Sequence, residues 1–328
     1  MSRKIAPFRP YLLGAYIVFA AAWFGRSGID TDKDQVVRLV IGALAVWCIG
    51  RPLKEARRLF LEWLPFVVAL IVYDAARAGA SALGRHVVVT QQIHADKFLF
   101  FGSVPTVVLQ NHFLHYSPHW WDFAASIIYV SHFFAAFIVA GWLWSRNRDA
   151  WGVFATRFFL LCFTAAITFA LMPTAPPWAA SQMGHLEPVI RSAGRGWTFI
   201  HIKQPELILQ NGRNLANPYA AIPSLHAGWA LLVSVTLWPF VGKRWRPLLV
   251  AYPLAMGLTL VYTGEHYAID IFIGWLYVWG VIVLERRTRA LRIRYTSRIF
   301  ARTRFDNDNV IDLTDDTEDA DVRQRRIS

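Results

Sequence analysis

Charge is scarce in this chain of 328 residues: Asp, Glu, Lys and Arg together make up 17%, against about a quarter in an ordinary soluble domain. Cysteine is scarcer still. The two present, Cys48 and Cys162, lie inside apolar runs, and no Cys-x-x-Cys pair occurs. A disulfide framework and a thiol redox motif are thereby excluded, and the two residues read as small buried hydrophobes. No internal repeat and no low-complexity core tract is found. Acids are outnumbered 22 to 34 by Lys and Arg, a net charge of +12. Such a balance suits nucleic acid, but the basic residues are dispersed over the connections between apolar runs and the two ends of the chain, so no nucleic-acid partner is expected. What is abundant is apolar and aromatic: hydrophobic residues reach 55%, with 15 Trp and 23 Phe, as expected where rings anchor at lipid headgroups. The composition describes an all-α, polytopic membrane protein.

Eight apolar runs predict about eight transmembrane helices, near 11–25, 35–50, 59–76, 121–144, 152–172, 223–241, 247–263 and 266–284, most of them close to the ~20 residues that cross a bilayer core. The first run also has the look of a signal peptide, being short, preceded by Arg3, Lys4 and Arg9, and carrying small residues at Ala20 to Ala22. Retained as a span, it completes an alternation of charge. Arg51, Lys54, Arg57 and Arg58, then Arg146 with Arg148, then Lys243, Arg244 and Arg246 mark the cytoplasmic connections by the positive-inside rule. Both termini then face the cytoplasm, while the segments 77–120 and 173–222 and the turn at Gly264 face outward. Arg outnumbers Lys, as in GC-rich genomes, which points to a bacterial plasma membrane. Three regions follow: an N-terminal transmembrane hairpin (1–58), a membrane domain (59–285) and a basic-then-acidic tail (286–328) that reads as disordered.

Two outward-facing span starts carry chemistry. One reads Asn217-Pro-Tyr-Ala-Ala-Ile-Pro-Ser-Leu-His226, the other Tyr262-Thr-Gly-Glu-His-Tyr-Ala-Ile-Asp270. The spacing of His266 and Asp270 stacks them on one helix face, where a carboxylate fixes the imidazole tautomer as in a catalytic triad. One inward and one outward span separate His226 from His266, so the hairpin returns both to the same side. The two helix N-termini there offer unpaired N–H groups to an anion. Pro223 suits the first helical position, and Ser224 adds a hydroxyl. This inventory suits phosphoryl transfer, which needs mainly positioning and charge stabilisation. Other readings remain open: hydrogen-bonded structural histidines, a zinc site of His226, His266 and Asp270, or a non-catalytic lipid or ion carrier whose histidines relay protons. His112, His115 and His119 are individually uninformative, and His132 reads as a helix–helix hydrogen bond.

Pro-Ser-Leu-His226 resembles the second signature of the type 2 phosphatidic acid phosphatase superfamily, usually Pro-Ser-Gly-His. His266 with Asp270 is similar to the core of its third, His-x-x-x-Asp. Pro173-Thr-Ala-Pro-Pro-Trp178, Asn217-Pro218 and Tyr129-Val-Ser-His-Phe133 resemble the inositolphosphotransferase (inositol phosphorylceramide synthase-like) branch. The resemblance spans most of residues 60–285.

It implies that His266 is the nucleophile that forms a phosphohistidine, that Asp270 orients it, that His226 is the general acid and that Ser224 helps to hold the phosphate, with no metal or other cofactor. Two family features are missing: Leu260 stands where the third signature has an Arg, and the first signature is not visible. The phosphate-binding cation is therefore sought among Arg77, Arg191, Arg195, Lys203 and Arg213, with Arg213 and Arg195 preferred because they precede the second signature within one loop. Arg157 lies too deep. The function expected is a phosphotransferase moving a phosphoryl or phospho-headgroup between lipid substrates, with a lipid phosphatase acting on phosphatidic acid or a polyprenyl phosphate as the alternative.

Overall fold

A computed structural model describes residues 51–80, 83–201 and 218–291, with scattered positions between 11 and 50. Among the described residues the regular elements are helical, and β pairing is limited to isolated bridges joining Val88, Thr174 and Ala220. The helices are α1 (Leu53–Ala80), α2 (Thr90–Leu99), α3 (Pro105–Phe113), α4 (Trp120–Arg146), α5 (Arg148–Leu171), α6 (Pro177–Gln182), α7 (Leu225–Leu237), α8 (Arg246–Tyr262) and α9 (Ala268–Leu291), with a 3₁₀ turn at Arg195–Ile200. The chain divides into two compact units, Met1–Trp279 and Gly280–Ser328, and the candidate site lies in the first.

Among the described residues α4, α5 and α9 are long and apolar enough to cross a membrane. At 1.5 Å per residue the 27 residues of α4 span about 40 Å, more than the ~30 Å hydrocarbon core. The most apolar stretch of each is only 39% buried, so large side chains such as Ile127, Ile138, Ile167, Phe272 and Leu276 point outward. Water would penalise that surface at roughly 25 cal/mol per Å²; lipid does not. Helices α1, α7 and α8 lie at the runs expected at 59–76, 223–241 and 247–263, but α7, at 13 residues, is shorter than its run and, at about 20 Å, shorter than the hydrocarbon core. Those at 11–25 and 35–50, and the tail beyond 291, fall largely or wholly outside the described residues.

At one end of the bundle Asn147 alone joins α4 to α5, and its side chain accepts the Ala150 N–H at 3.0 Å as an N-cap. Glu62 of α1 pins this corner. It accepts from Trp144 Nε1 at 2.5 Å and from Arg58 at 2.8 Å, and it pairs with Arg148, whose guanidinium lies 3.7 Å from the centre of the Trp144 ring. At the other end, α2, α3, α6 and the 3₁₀ turn form a layer tied to the long helices by polar contacts. Gln110 of α3 donates to the carbonyls of Ile190 (2.8 Å) and Tyr262 (2.9 Å) and accepts the Ile190 N–H at 2.9 Å. The Tyr262 hydroxyl donates to Asp122 at 2.6 Å, and the Ser126 hydroxyl donates to the Ala193 carbonyl at 2.8 Å.

Candidate active site

Close backbone contact brings the two histidine motifs together. A Cβ added at Gly274 in α9 would lie 2.4 Å from the Ser224 carbonyl oxygen, so only glycine lets α9 rest on the start of α7. The Ser224 N–H donates to the Asp270 carbonyl at 3.2 Å across the same contact. Gly264 makes the tight α8–α9 turn at φ +75°, with Ile190 O 3.0 Å from where a Cβ would stand; both strain and space select glycine there.

Nδ1 of His266 lies 3.3 Å from Oδ2 of Asp270, and Nε2 of His266 lies 3.3 Å from Nδ1 of His226. A carboxylate only accepts, so His266 donates from Nδ1 and keeps a lone pair on Nε2. His226 then donates from its Nδ1 toward that lone pair. His226 is held from behind by Tyr129, stacked at 5.3 Å, and by His132, whose ring centre is 4.1 Å away. Asp270 and Ser224 are fully buried and His266 is 5% exposed.

Three expectations change at this point. Pro223 precedes the helix instead of opening it: α7 begins at Leu225 and Ser224 is its N-cap, with Oγ accepting the Ala227 N–H at 3.4 Å. His266 is not on a helix face but precedes α9. Its spacing to Asp270 still works because Asp270, third in the helix, turns back to accept the Tyr267 N–H at 3.0 Å, half of a capping box. His132 donates to the Tyr129 carbonyl of its own helix at 2.7 Å, not to a neighbouring helix, and its ring belongs to the site.

The start of α9 is also closed to an anion. Its first two amides, Ala268 and Ile269, donate to Oδ2 and Oδ1 of Asp96 at 3.0 and 2.9 Å. Asp96, on α2, is wholly buried. That burial pushes its carboxyl up to about 6, against the pull of the two amides. Oδ1 of Asp270 has no hydrogen-bond partner among the described residues, an unusual state for a buried carboxylate.

Leu260 is fully buried in an apolar cluster with Tyr129, Ala227, Met256 and Ile271, so core packing occupies the position where the family pattern has an Arg. Arg191 instead reaches the His266 turn. Its Nε and one terminal nitrogen grip Glu265 at 2.9–3.0 Å, and its guanidinium lies 4.7 Å from the Trp178 ring centre. Burial works against the Arg191 charge, but the Glu265 carboxylate outweighs it and holds the guanidinium above its usual value. Arg195 donates to the carbonyls of His115 and Tyr116. Arg77 falls late in α1, and Arg213 and Lys203 lie outside the described residues. Among the described residues no group of three or more His, Cys, Asp or Glu is arranged to hold a metal ion. Sequence reasoning missed Asp96, Gln110 and the Arg191–Glu265 pair, because each is a polar residue outside the long apolar runs or at the edge of one, whose burial only the tertiary fold creates.

A family model described as the PAP2 superfamily matches residues 90–284, a range that holds Asp96, Arg191, His226, His266 and Asp270. The chain is 28% identical over 245 residues to a protein of Bacteroides thetaiotaomicron named phosphoinositol dihydroceramide synthase, covering 70% of this chain and 77% of that one. It is 30% identical over 147 residues to the inositol phosphorylceramide synthase catalytic subunit aur1 of Schizosaccharomyces pombe, covering 43% of this chain and 34% of that one. No solved structure gives a significant match.

Proposed function

The chain belongs to the PAP2 superfamily, and on that footing we propose that it is a membrane phosphotransferase that moves a phospho-headgroup from one lipid to another through a phosphohistidine at His266. The observation that carries this reading is the line Asp270–His266–His226, in which one imidazole nitrogen keeps a lone pair and the facing ring offers a proton. In the first step Nε2 of His266 attacks phosphorus, the bond to the donor's lipid oxygen breaks, and a protonated His226 gives that oxygen its proton. Asp270 stabilises the positive charge on the phosphorylated ring. In the second step His226 takes the proton of the acceptor hydroxyl as that oxygen attacks phosphorus, and the lone pair returns to His266. A 3.3 Å contact between the rings leaves no room for a phosphoryl group, so His226 swings aside when substrate binds.

Ser224, Arg195 and Arg213 are the proposed phosphate contacts, and Arg191 joins them because Glu265 anchors it beside His266. Imidazoles and guanidiniums supply the chemistry, so the reaction is proposed to need no metal. The names of the two relatives favour a phosphoinositol headgroup and a ceramide-type hydroxyl as acceptor. The burial of Asp270, Ser224 and His266 favours a lipid alcohol over water, hence transfer over hydrolysis. The proposed setting is a bacterial plasma membrane crossed eight times, by α1, α4, α5, α7, α8, α9 and the runs at 11–25 and 35–50. The site faces outward, both termini face inward, and the catalytic domain occupies 59–285 between an N-terminal hairpin and the tail.

Detergent-purified protein given phosphatidylinositol, with and without ceramide, tests the reading. Ceramide-dependent transfer that survives EDTA and is blocked by vanadate is expected. Release of free phosphate or inositol phosphate regardless of acceptor would make the protein a hydrolase. Vanadate-insensitive lipid or ion movement without turnover would make it a carrier.

A further inference from the structure

Asp96 is 172 residues from Ala268 in sequence, yet both its oxygens are spent on the first turn of α9: Oδ2 on the Ala268 N–H and Oδ1 on the Ile269 N–H. Asp270 takes the Tyr267 N–H, and its own N–H donates to the Tyr267 carbonyl at 3.2 Å. Every amide from Tyr267 to Asp270 is therefore fixed, where a helix start ordinarily leaves such groups to solvent or a ligand. A local Ser, Thr or Asn would cap this helix cheaply. The chain instead buries a second carboxylate close enough to Asp270 for their charges to oppose each other, and burying like charges together is unfavourable without a compensating gain.

We propose that Asp96 is a positioning residue for the transfer step, acting through Asp270 and His266 by locking the first turn of α9 and by withholding its amides from the substrate phosphate. His266 and Asp270 flank that turn, so a shift of the Ala268 and Ile269 amides moves both. The negative field of Asp96 adds to that of Asp270 in favouring positive charge on the phosphorylated imidazole. With the α9 amides occupied, the phosphate falls to side-chain cations and turns its phosphorus toward Nε2 of His266, instead of settling on the helix end. The inference rests on the phosphohistidine reading of the same site.

The test compares Asp96→Asn, Asp270→Asn, their double variant and His266→Ala for kcat, KM and melting in the same detergent. Asn keeps one acceptor and loses the charge. Asp96→Asn is expected to melt cooperatively and to lower kcat about 10- to 100-fold, by analogy with losing the carboxylate that orients a metal-bound histidine, with KM changed less than about threefold. In the Asp270→Asn background the same change should cost less than about threefold, because both residues act through one ring. Equal fold-losses in the two backgrounds, or an unchanged kcat per folded molecule, would overturn the proposal. Should Asp96→Asn not fold, Asp96→Glu reads the same quantity: a reduced kcat at near-parental KM supports it and a parental kcat overturns it. Turnover by His266→Ala would instead defeat the phosphohistidine reading, whereas an inactive His266→Ala beside a fully active Asp96→Asn would defeat the positioning role alone.

Discussion

Nδ1 of His226 lies 3.3 Å from Nε2 of His266, across 40 residues of sequence, and the far side of the His266 ring is held by Asp270. The carboxylate can only accept, so the line has a direction: proton on His266 Nδ1, lone pair on Nε2, proton on His226 Nδ1. The two rings are therefore not equivalent in this line, and their variants should behave differently.

Asp270→Asn should retain the fold, because its side-chain carbonyl can still accept the Tyr267 N–H, while the His266 ring loses its tautomer control. By analogy with the orienting Asp of serine proteases, kcat should fall by about two to four orders of magnitude. A loss below about tenfold, measured on protein with a near-parental melting temperature, would remove Asp270 from the proposed line.

His226→Ala should slow transfer from a lipid alcohol by about 10²- to 10⁴-fold, the usual worth of general acid catalysis. A nitrophenyl leaving group needs no proton, so the same variant should lose far less on such a donor. Equal losses on both donors would reject His226 as the acid.

Gly274→Ala should drive a methyl group into the Ser224 carbonyl, 2.4 Å away. Backbone cannot yield as a flexible side chain does, so overpacking of about 1–3 kcal/mol is expected, together with separation of His226 from His266. Gly141→Ala in α4, with nothing within 4 Å, is the control and should be neutral or better. Melting and kcat measured together check this: activity should fall further than the folded fraction in the first variant and not at all in the second.

Membrane sidedness is open to thiol labelling in a chain freed of Cys48 and Cys162. Gly196 is a poor reporter, since a Cβ there would lie 2.0 Å from the Asp122 carbonyl oxygen. Glu187 and Lys243 are both exposed. An impermeant maleimide on intact cells should modify Glu187→Cys and spare Lys243→Cys; the opposite pattern would place the site on the cytoplasmic side.

The long helices were legible because lipid demands continuous apolar runs: the expected 121–144 and 152–172 lie within α4 and α5 to within a residue. The two histidines and Asp270 were legible because polar groups at a span start are costly and so stand out. The α2, α3 and α6 layer was not, because short helices of mixed composition carry no strong period. Asp96 sits in such a helix beside Lys97, and nothing local shows that its carboxylate ends wholly buried on α9. His132 was read as a hydrogen bond to a neighbouring helix and so given the wrong partner, since sequence does not show that the Tyr129 carbonyl of its own helix accepts the bond. Helix starts were taken as open to anions, yet a start is open only when no distant carboxylate reaches it.

In the proposed reaction His266 carries the transferred group. The most direct measurement is to mix the protein with a headgroup-labelled phosphoinositol lipid in the absence of acceptor, quench in base, digest, and locate any acid-labile phosphoramidate by mass spectrometry. Label is expected on the peptide bearing His266, released on adding a ceramide-type acceptor and missing from His266→Ala. Label on His226, or steady turnover with no acid-labile label on any histidine, would contradict that role of His266.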